Sequence, residues 1–167
     1  MTAPVHPAAP ALDWRCTPFA DLTLGDLYAA LQLRSLVFVV EQSCPFLDLD
    51  GDDDRAWHLL GWRAHPDAAG VRQLAAYARL FAPGVKYAEA SIGRVVTHPD
   101  ARRTGAGRAL MAEAVRTLGT LAPGAPVRIG AQKYLERFYG EFGFVRDGDD
   151  YLEDGIVHVE MVRRAEA

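Results

Sequence analysis

A strand that runs into a glycine-rich turn and then a striped helix constrains this chain more than anything else in it. Ser91–His98 (SIGRVVTH) reads as the strand, stopped by Pro99. The string Arg102-Arg103-Thr104-Gly105-Ala106-Gly107-Arg108 follows. From Gly105 to Leu118 the apolar positions Leu110, Met111, Ala114, Val115 and Leu118 make one helical stripe, and Gly119 is placed to end the helix in a left-handed turn. A helix with one apolar face must lie on something, so the chain has to build layers of helix on sheet. The loop has a consequence of its own. Glycines allow the backbone to approach a ligand closely. The first amides of a helix have no intrahelical acceptor and sit at the positive end of its dipole. With Arg102, Arg103 and Arg108 added, this is a site suited to a phosphate or pyrophosphate.

The rest of the chain supplies more strands than helices. Trp14–Phe19 reads as a strand, and Thr23 with Asp26 as a capping box. The helix behind that box carries Leu24, Leu27, Tyr28 and Leu31 on one face and runs to Phe38 or Val39. Trp57–Arg63 and Leu74–Phe81 pair as a hairpin across a turn holding Pro66, Asp67 and Gly70. Val127–Ala131 is a short strand. Lys133–Phe142 is a second striped helix, through Leu135, Phe138, Tyr139 and Phe142, ended by Gly143. Phe144–Arg146 and Ile156–Val162 form a last antiparallel pair across a turn rich in Gly and Asp. The order predicts a mixed α/β (α+β) domain with a mostly antiparallel sheet flanked by helices. Residues 1–11 read as a flexible Ala/Pro-rich tail and residues 12–167 as one domain.

Composition narrows the function classes. Half of the 167 residues are hydrophobic and 24% are charged, which excludes a disordered or collagenous chain and allows a single core. The longest aliphatic and aromatic run, Leu36–Val40, is far short of the ~20 residues that span a bilayer. The N-terminus has no basic start and no apolar core of a signal peptide. Cys16 and Cys44 stand apart from any metal or redox motif and read as free thiols. These features predict a cytoplasmic protein with no membrane partner. A net charge of −4 argues against a nucleic-acid partner. Five aspartates crowd the loop Ser43–Arg55: Asp48, Asp50, Asp52, Asp53 and Asp54. They fail as a calcium loop, because the sixth position is Asp53 rather than Gly and the twelfth is Leu59 rather than Glu. No metal site is expected. The run reads as a solvated acidic loop, with a sharper reading in which its carboxylates draw a cationic amine into a cleft. Arg34, Arg79 and Arg94 lie in or beside apolar segments and are expected to pair with acids such as Glu41 or Glu89.

Two phosphate motifs fail on the glycine loop. No GxxxxGK[ST] string exists, and a dinucleotide fingerprint would need glycine where Leu110 stands. Arg102-x-x-Gly105-x-Gly107 does fit [Q/R]-x-x-G-x-[G/A], and Phe138-Tyr139-Gly140-Glu141-Phe142-Gly143-Phe144 follows the next strand. Together these resemble the acetyl-CoA motif and the aromatic-glycine segment of the GNAT N-acetyltransferases. Leu33-Arg34, Val37–Gln42, Cys44-Pro45, Asp50-Gly51, His58-Leu59, Tyr77–Leu80, Ile92–Val95, Ala131-Gln132 and Asp154–Ile156 with His158 and Met161 resemble the ElaA-like branch of that family. The resemblance runs from Trp14 to Met161.

The resemblance implies a twisted sheet that opens into a V between its fourth and fifth strands, with acetyl-CoA lying in the V. By position, the backbone of Val95, Val96 and Thr97 would pair with the pantetheine arm as an added strand. Arg102 and the amides of Arg103, Thr104, Gly105, Ala106, Gly107 and Arg108 would hold the pyrophosphate, and Gln132 would line the opposite wall. The family usually has glycine where this chain has Arg103. Tyr139 takes the place of the family's general acid, although its position on the apolar stripe also suits a core tyrosine. A Lys-like acceptor amine is charged at neutral pH, and neutralising it costs roughly 4–5 kcal/mol. A base is therefore sought among Glu41, His58, Asp154 and His158, with Glu41 and His158 ranked first; Glu41, Asp50, His58 and Asp154 are the expected acceptor-binding side chains. The expected activity is an acyl-CoA-dependent N-acetyltransferase acting on a small-molecule or peptide amine. The runner-up is a CoA-binding or partner-binding module of the same fold without catalysis. Relatives that pair leave a homodimer open.

Overall fold

The computed structural model describes residues 11–165, so the expected N-terminal tail lies almost wholly outside the described residues. Seven strands form one sheet in the order β1-β2-β3-β4-β5-β7-β6. They are β1 (Asp13–Pro18), β2 (Trp57–Ala64), β3 (Arg72–Phe81), β4 (Ala90–Thr97), β5 (Val127–Gln132), β6 (Val145–Glu153) and β7 (Ile156–Arg163). All neighbours are antiparallel except β4 and β5. The helices are α1 (Leu24–Arg34), α2 (Ala106–Leu121) and the short α3 (Glu136–Gly140). This is the mixed, mostly antiparallel architecture that the order of sequence patterns predicts.

The two faces of the sheet carry different helices. β3 is buried on both sides and shows how. Ala76, Ala78 and Leu80 pack with Leu110, Met111, Ala114 and Leu118 of α2. Leu74 and Tyr77 pack with Ala30 and Leu33 of α1. Ala76 and Ala78 thus give α2 small side chains to pack on, while the large Tyr77 packs with α1. The Thr23–Asp26 capping box is present, with the Asp26 amide donating to Thr23 Oγ1 at 3.1 Å.

Four boundaries differ from the sequence reading. The first helix does not stay α-helical to Phe38. From Ser35 to Glu41 it widens into a π-helix, a form concentrated at functional sites. α2 runs through Gly119 to Leu121, and the left-handed residue comes later, at Gly124 (φ 74°). The segment read as a helix from Lys133 is a 3-10 turn (Lys133–Leu135) followed by the five residues of α3. The Gly/Asp stretch read as a turn is most of β6. It is an exposed edge strand with little apolar alternation, broken by a bulge between Arg146 and Asp150 where Gly148 takes φ 110°.

Candidate acyl-transfer site

β5 pairs with β4 only at Ala90↔Val127 and Ser91↔Arg128. Beyond those two pairs the strands part, and a cleft of about 780 Å³ opens between them. Among the described residues, no strand pairs with the cleft side of β4 from Ile92 to Thr97, so Val95, Val96 and Thr97 present it as a free edge. β4 is also bulged. Its register with β3 shifts between Tyr77 and Arg79, and Arg94 takes a left-handed φ of 51°. That conformation is rare for a residue with a side chain and needs outside support. Arg94 has it: its guanidinium donates to Asp48 Oδ1 (2.7 Å) and to the Asp48 carbonyl (3.1 Å).

At one end of the cleft Arg102 leads into the glycine loop. Arg103 (φ 62°) and Gly105 (φ 89°) both take positive φ, and Gly105 is the N-cap of α2 with no side-chain cap. The first bond of the helix is Ala109 N–H to Gly105 O, which leaves the amides of Ala106, Gly107 and Arg108 without intrahelical acceptors. An L-residue in the left-handed region costs free energy. Here Arg103 stands where relatives are expected to carry glycine, and it still reaches that backbone geometry. The loop thus has the uncapped amides and the turned backbone that an oxyanion of a pyrophosphate requires. Arg103–Arg108 form this loop beside the cleft and do not line its interior.

The opposite wall comes from β5, α3 and the β6–β7 hairpin. Gln132 closes β5 and its amide reaches Gln42 at 3.5 Å. Tyr139 lies on α3, only 7% exposed, with its ring edge-on to Phe138 and Phe144. Burial pushes its phenol well above the ordinary tyrosine range, so the hydroxyl stays protonated. The register of β5 and β7 places His158 opposite Gln132. His158 Nδ1 lies 2.9 Å from the Ile156 carbonyl, which can only accept. Nδ1 therefore carries a proton, and Nε2 lies 3.8 Å from Glu153 Oε2. Tyr151 stacks on the imidazole at 5.7 Å and donates its own hydroxyl to Glu160 at 2.9 Å. A Cβ at Gly130 would come within 2.9 Å of that hydroxyl, which explains glycine there. Tyr151 escaped the sequence reading because β6 was read as a turn; as a strand it pairs Tyr151 directly with His158.

The other expected acceptor residues divide. Asp154 lines the cleft on the β6–β7 turn, where its carbonyl accepts from Cys44 Sγ at 3.6 Å. Asp50 lines it too, but both of its oxygens are taken by Arg79 at 2.7 Å, and that bidentate pair holds the carboxyl down to about 2. Glu41, the last residue of the π-helix, faces the cleft and is bound by Arg102 at 2.8 Å. His58 is a correction: it does not line the cleft. It is fully buried, with Nδ1 2.8 Å from Tyr77 Oη and Nε2 2.9 Å from the Asp53 carbonyl, and burial lowers its pKa.

The aspartate run is likewise not a solvated loop. Asp48 accepts from Arg34 (2.8 Å) and Arg94, Asp53 accepts from Arg34 (2.6 Å) and Arg79 (3.0 Å), and Asp52 pairs with Arg55 and Lys86. Arg34, Arg79 and Arg94 thus pair with this run rather than with Glu41 or Glu89; Glu89 pairs with Arg128 at 2.7 Å.

The family model of the GNAT acetyltransferase domain matches residues 71–165. The chain is 39% identical to Escherichia coli ElaA over 155 residues, 91% of this chain and 96% of that protein. The splayed β4–β5 pair beside an uncapped glycine loop is the arrangement that the sequence resemblance leads one to expect, and the chain belongs to the GNAT acetyltransferase family. Within it, the crystal structure of Escherichia coli ElaA superposes with a TM-score of 0.81, covering 92% of this chain and 99% of that one. An acyl-CoA N-acyltransferase from Pseudomonas aeruginosa is 45% identical and superposes with a TM-score of 0.83 over the same shares. A Bacillus subtilis acetyltransferase solved in complex with CoA shares the fold alone, at 17% identity and a TM-score of 0.63, covering 93% of this chain and 99% of that one. Among the described residues no helix is long and apolar enough to cross a membrane.

Proposed function

We propose that this chain transfers the acetyl group of acetyl-CoA to a primary amine by direct attack in a ternary complex. The observation that carries the reading is the cleft itself: a free β4 edge on one wall, Tyr139 and His158 on the other, and the uncapped loop at its end. Acetyl-CoA supplies a thioester. The chain's residues do the rest. The β4 edge holds the pantetheine arm as an added strand, and a backbone N–H of Val95–Thr97 meets the carbonyl oxygen. Arg102 and the amides from Arg103 to Arg108 hold the pyrophosphate.

His158 Nε2 takes the proton that the amine must lose: the Ile156 carbonyl holds the ring through Nδ1 and leaves Nε2 as the nitrogen available for it. Tyr139 donates to the departing sulfur. A thiol has a pKa near 8.5, below that of the buried phenol, so Tyr139 supplies a hydrogen bond to the thiolate first. The net proton comes from the amine.

The experiment is a calorimetric titration with acetyl-CoA, with dephospho-CoA alongside, followed by turnover on a panel of amines. Micromolar binding and turnover by the wild type, with turnover lowered about 100-fold or more in H158Q at saturating amine, are the expected results. Binding without turnover on any amine would leave a CoA-binding module in its place.

A further inference from the structure

Two of the three arginines of the phosphate loop are already spoken for by carboxylates. Glu141, just beyond α3, holds Arg108 through two bonds of 2.9 and 3.0 Å. Glu41, from the other side of the sheet, holds Arg102 at 2.8 Å. Among the described residues Arg103 has no ion-pair partner. The Glu41 contact has the longer reach. Glu41 ends the π-helix, and Val37, Phe38, Glu41 and Gln42 line the cleft. The residues just after it touch the opposite wall, Gln42 at Gln132 and Cys44 at the Asp154 carbonyl. Residues 41–44 thus form a strap across the cleft, tied at one end to the loop and at the other to β5 and the β6–β7 turn.

We propose that Glu41 stands in for the cofactor's pyrophosphate at Arg102, so that cofactor binding releases the strap and opens the acceptor side of the cleft. This rests on the proposed cofactor site. A guanidinium presents one planar fork, and a carboxylate and a phosphate oxygen compete for it. Arg102 and Glu41 are both about two-fifths exposed, so the pair is weak enough for a dianionic diphosphate to displace. Displacement frees the Glu41 carboxylate beside the path of a cationic amine. Cofactor and acceptor then bind with positive coupling, the cofactor first, and the coupling is reciprocal.

The test is a double-mutant cycle on CoA affinity, by calorimetry, with E41Q, R102Q and the pair together. E41Q removes the competitor and is expected to bind CoA about two- to five-fold more tightly than wild type, the range that an exposed ion pair commands. R102Q binds more weakly, and adding E41Q to it brings no gain. CoA speeds amide exchange over residues 35–44 in wild type and leaves E41Q unchanged. Thermal unfolding confirms that each variant is folded. Weaker binding by E41Q would mean that Glu41 orients Arg102 for the phosphate, and would overturn the proposal. So would an equal gain in the R102Q background, which would reduce Glu41 to a nearby negative charge. Wild type that fails to bind CoA would instead remove the cofactor reading itself.

Discussion

Replacing Asp48 by asparagine tests the link between the buried charge network and the cleft. Asp48 is 4% exposed and accepts from two guanidinium groups, Arg34 at 2.8 Å and Arg94 at 2.7 Å. Arg34 is fully buried. Asparagine keeps the shape but removes the charge, leaving Arg34 with Asp53 and the residue-48 carbonyl. Breaking a buried pair from one side costs about 3–5 kcal/mol, because the remaining charge is left uncompensated. For a chain of this size that is a fall of roughly 6–20 °C in melting temperature. Urea unfolding of wild type and D48N at neutral pH measures it, with E113Q as the control. Glu113 pairs with Arg116 on the surface of α2, and losing that pair is worth under about 1 kcal/mol. D48N also weakens the anchor of the left-handed Arg94, which keeps the residue-48 carbonyl but loses the charged acceptor, so acetyl-CoA affinity should drop in protein that is still folded. A D48N midpoint no lower than that of E113Q would refute the reasoning: the network would then be decoration on a fold held by its apolar core.

Y139F should lower turnover about 10- to 100-fold while leaving CoA affinity within twofold, as stopped-flow and calorimetry would show; equal loss in both would make Tyr139 a packing residue. G130A should break the Tyr151–Glu160 bond, since the new methyl meets the phenol oxygen at 2.9 Å, and should lower turnover by loosening His158; unchanged kcat would show that the stacked ring does not position the imidazole. His58 is held neutral, its pKa depressed by burial, so the unfolded chain takes up the proton first. Stability is then flat above about pH 6.5 and falls below it, by up to ~1.4 kcal/mol per pH unit, and urea midpoints of H58Q should lack that slope.

The order of elements was legible because apolar patterning carries it: the stripe of α2, the hairpin of β2 and β3, and the stop at Pro99 all appear where the patterns place them. The glycine loop was legible for a related reason. Its residues must adopt special backbone angles, and such demands restrict residue type. The buried charges were not. An aspartate paired with a buried arginine and one in water look alike in a sequence, and here the partners of Asp48, Asp50 and Asp53 lie up to 46 positions away. His58 was misplaced by the same blindness. The π-helix hid behind the apolar run Val37–Val40, three valines and Phe38, which suits a strand or a helix, and nothing local specifies an extra residue per turn. β6 hid because an exposed edge strand with charged side chains lacks the alternation that marks a half-buried one.

These hidden features share a purpose in the architecture. Two residue pairs alone join β4 to β5, so the sheet cannot by itself fix the width of the V. On the β4 side the width depends on a bulge whose left-handed residue is pinned by Asp48, and Asp48 is pinned in turn by Arg34 at the end of α1. The π-helix grows directly from that arginine and carries Glu41 to the loop. A hydrophobic contact would tolerate sliding, whereas charge-assisted bonds between planar groups fix both distance and direction. The chain therefore gives up apolar burial beneath the cleft, where an aliphatic core would be at least as stable. In exchange, one connected set of charges, Arg34, Asp48, Arg94, Asp50, Arg79 and Asp53, fixes the β4 edge against the end of α1 from which the π-helix grows.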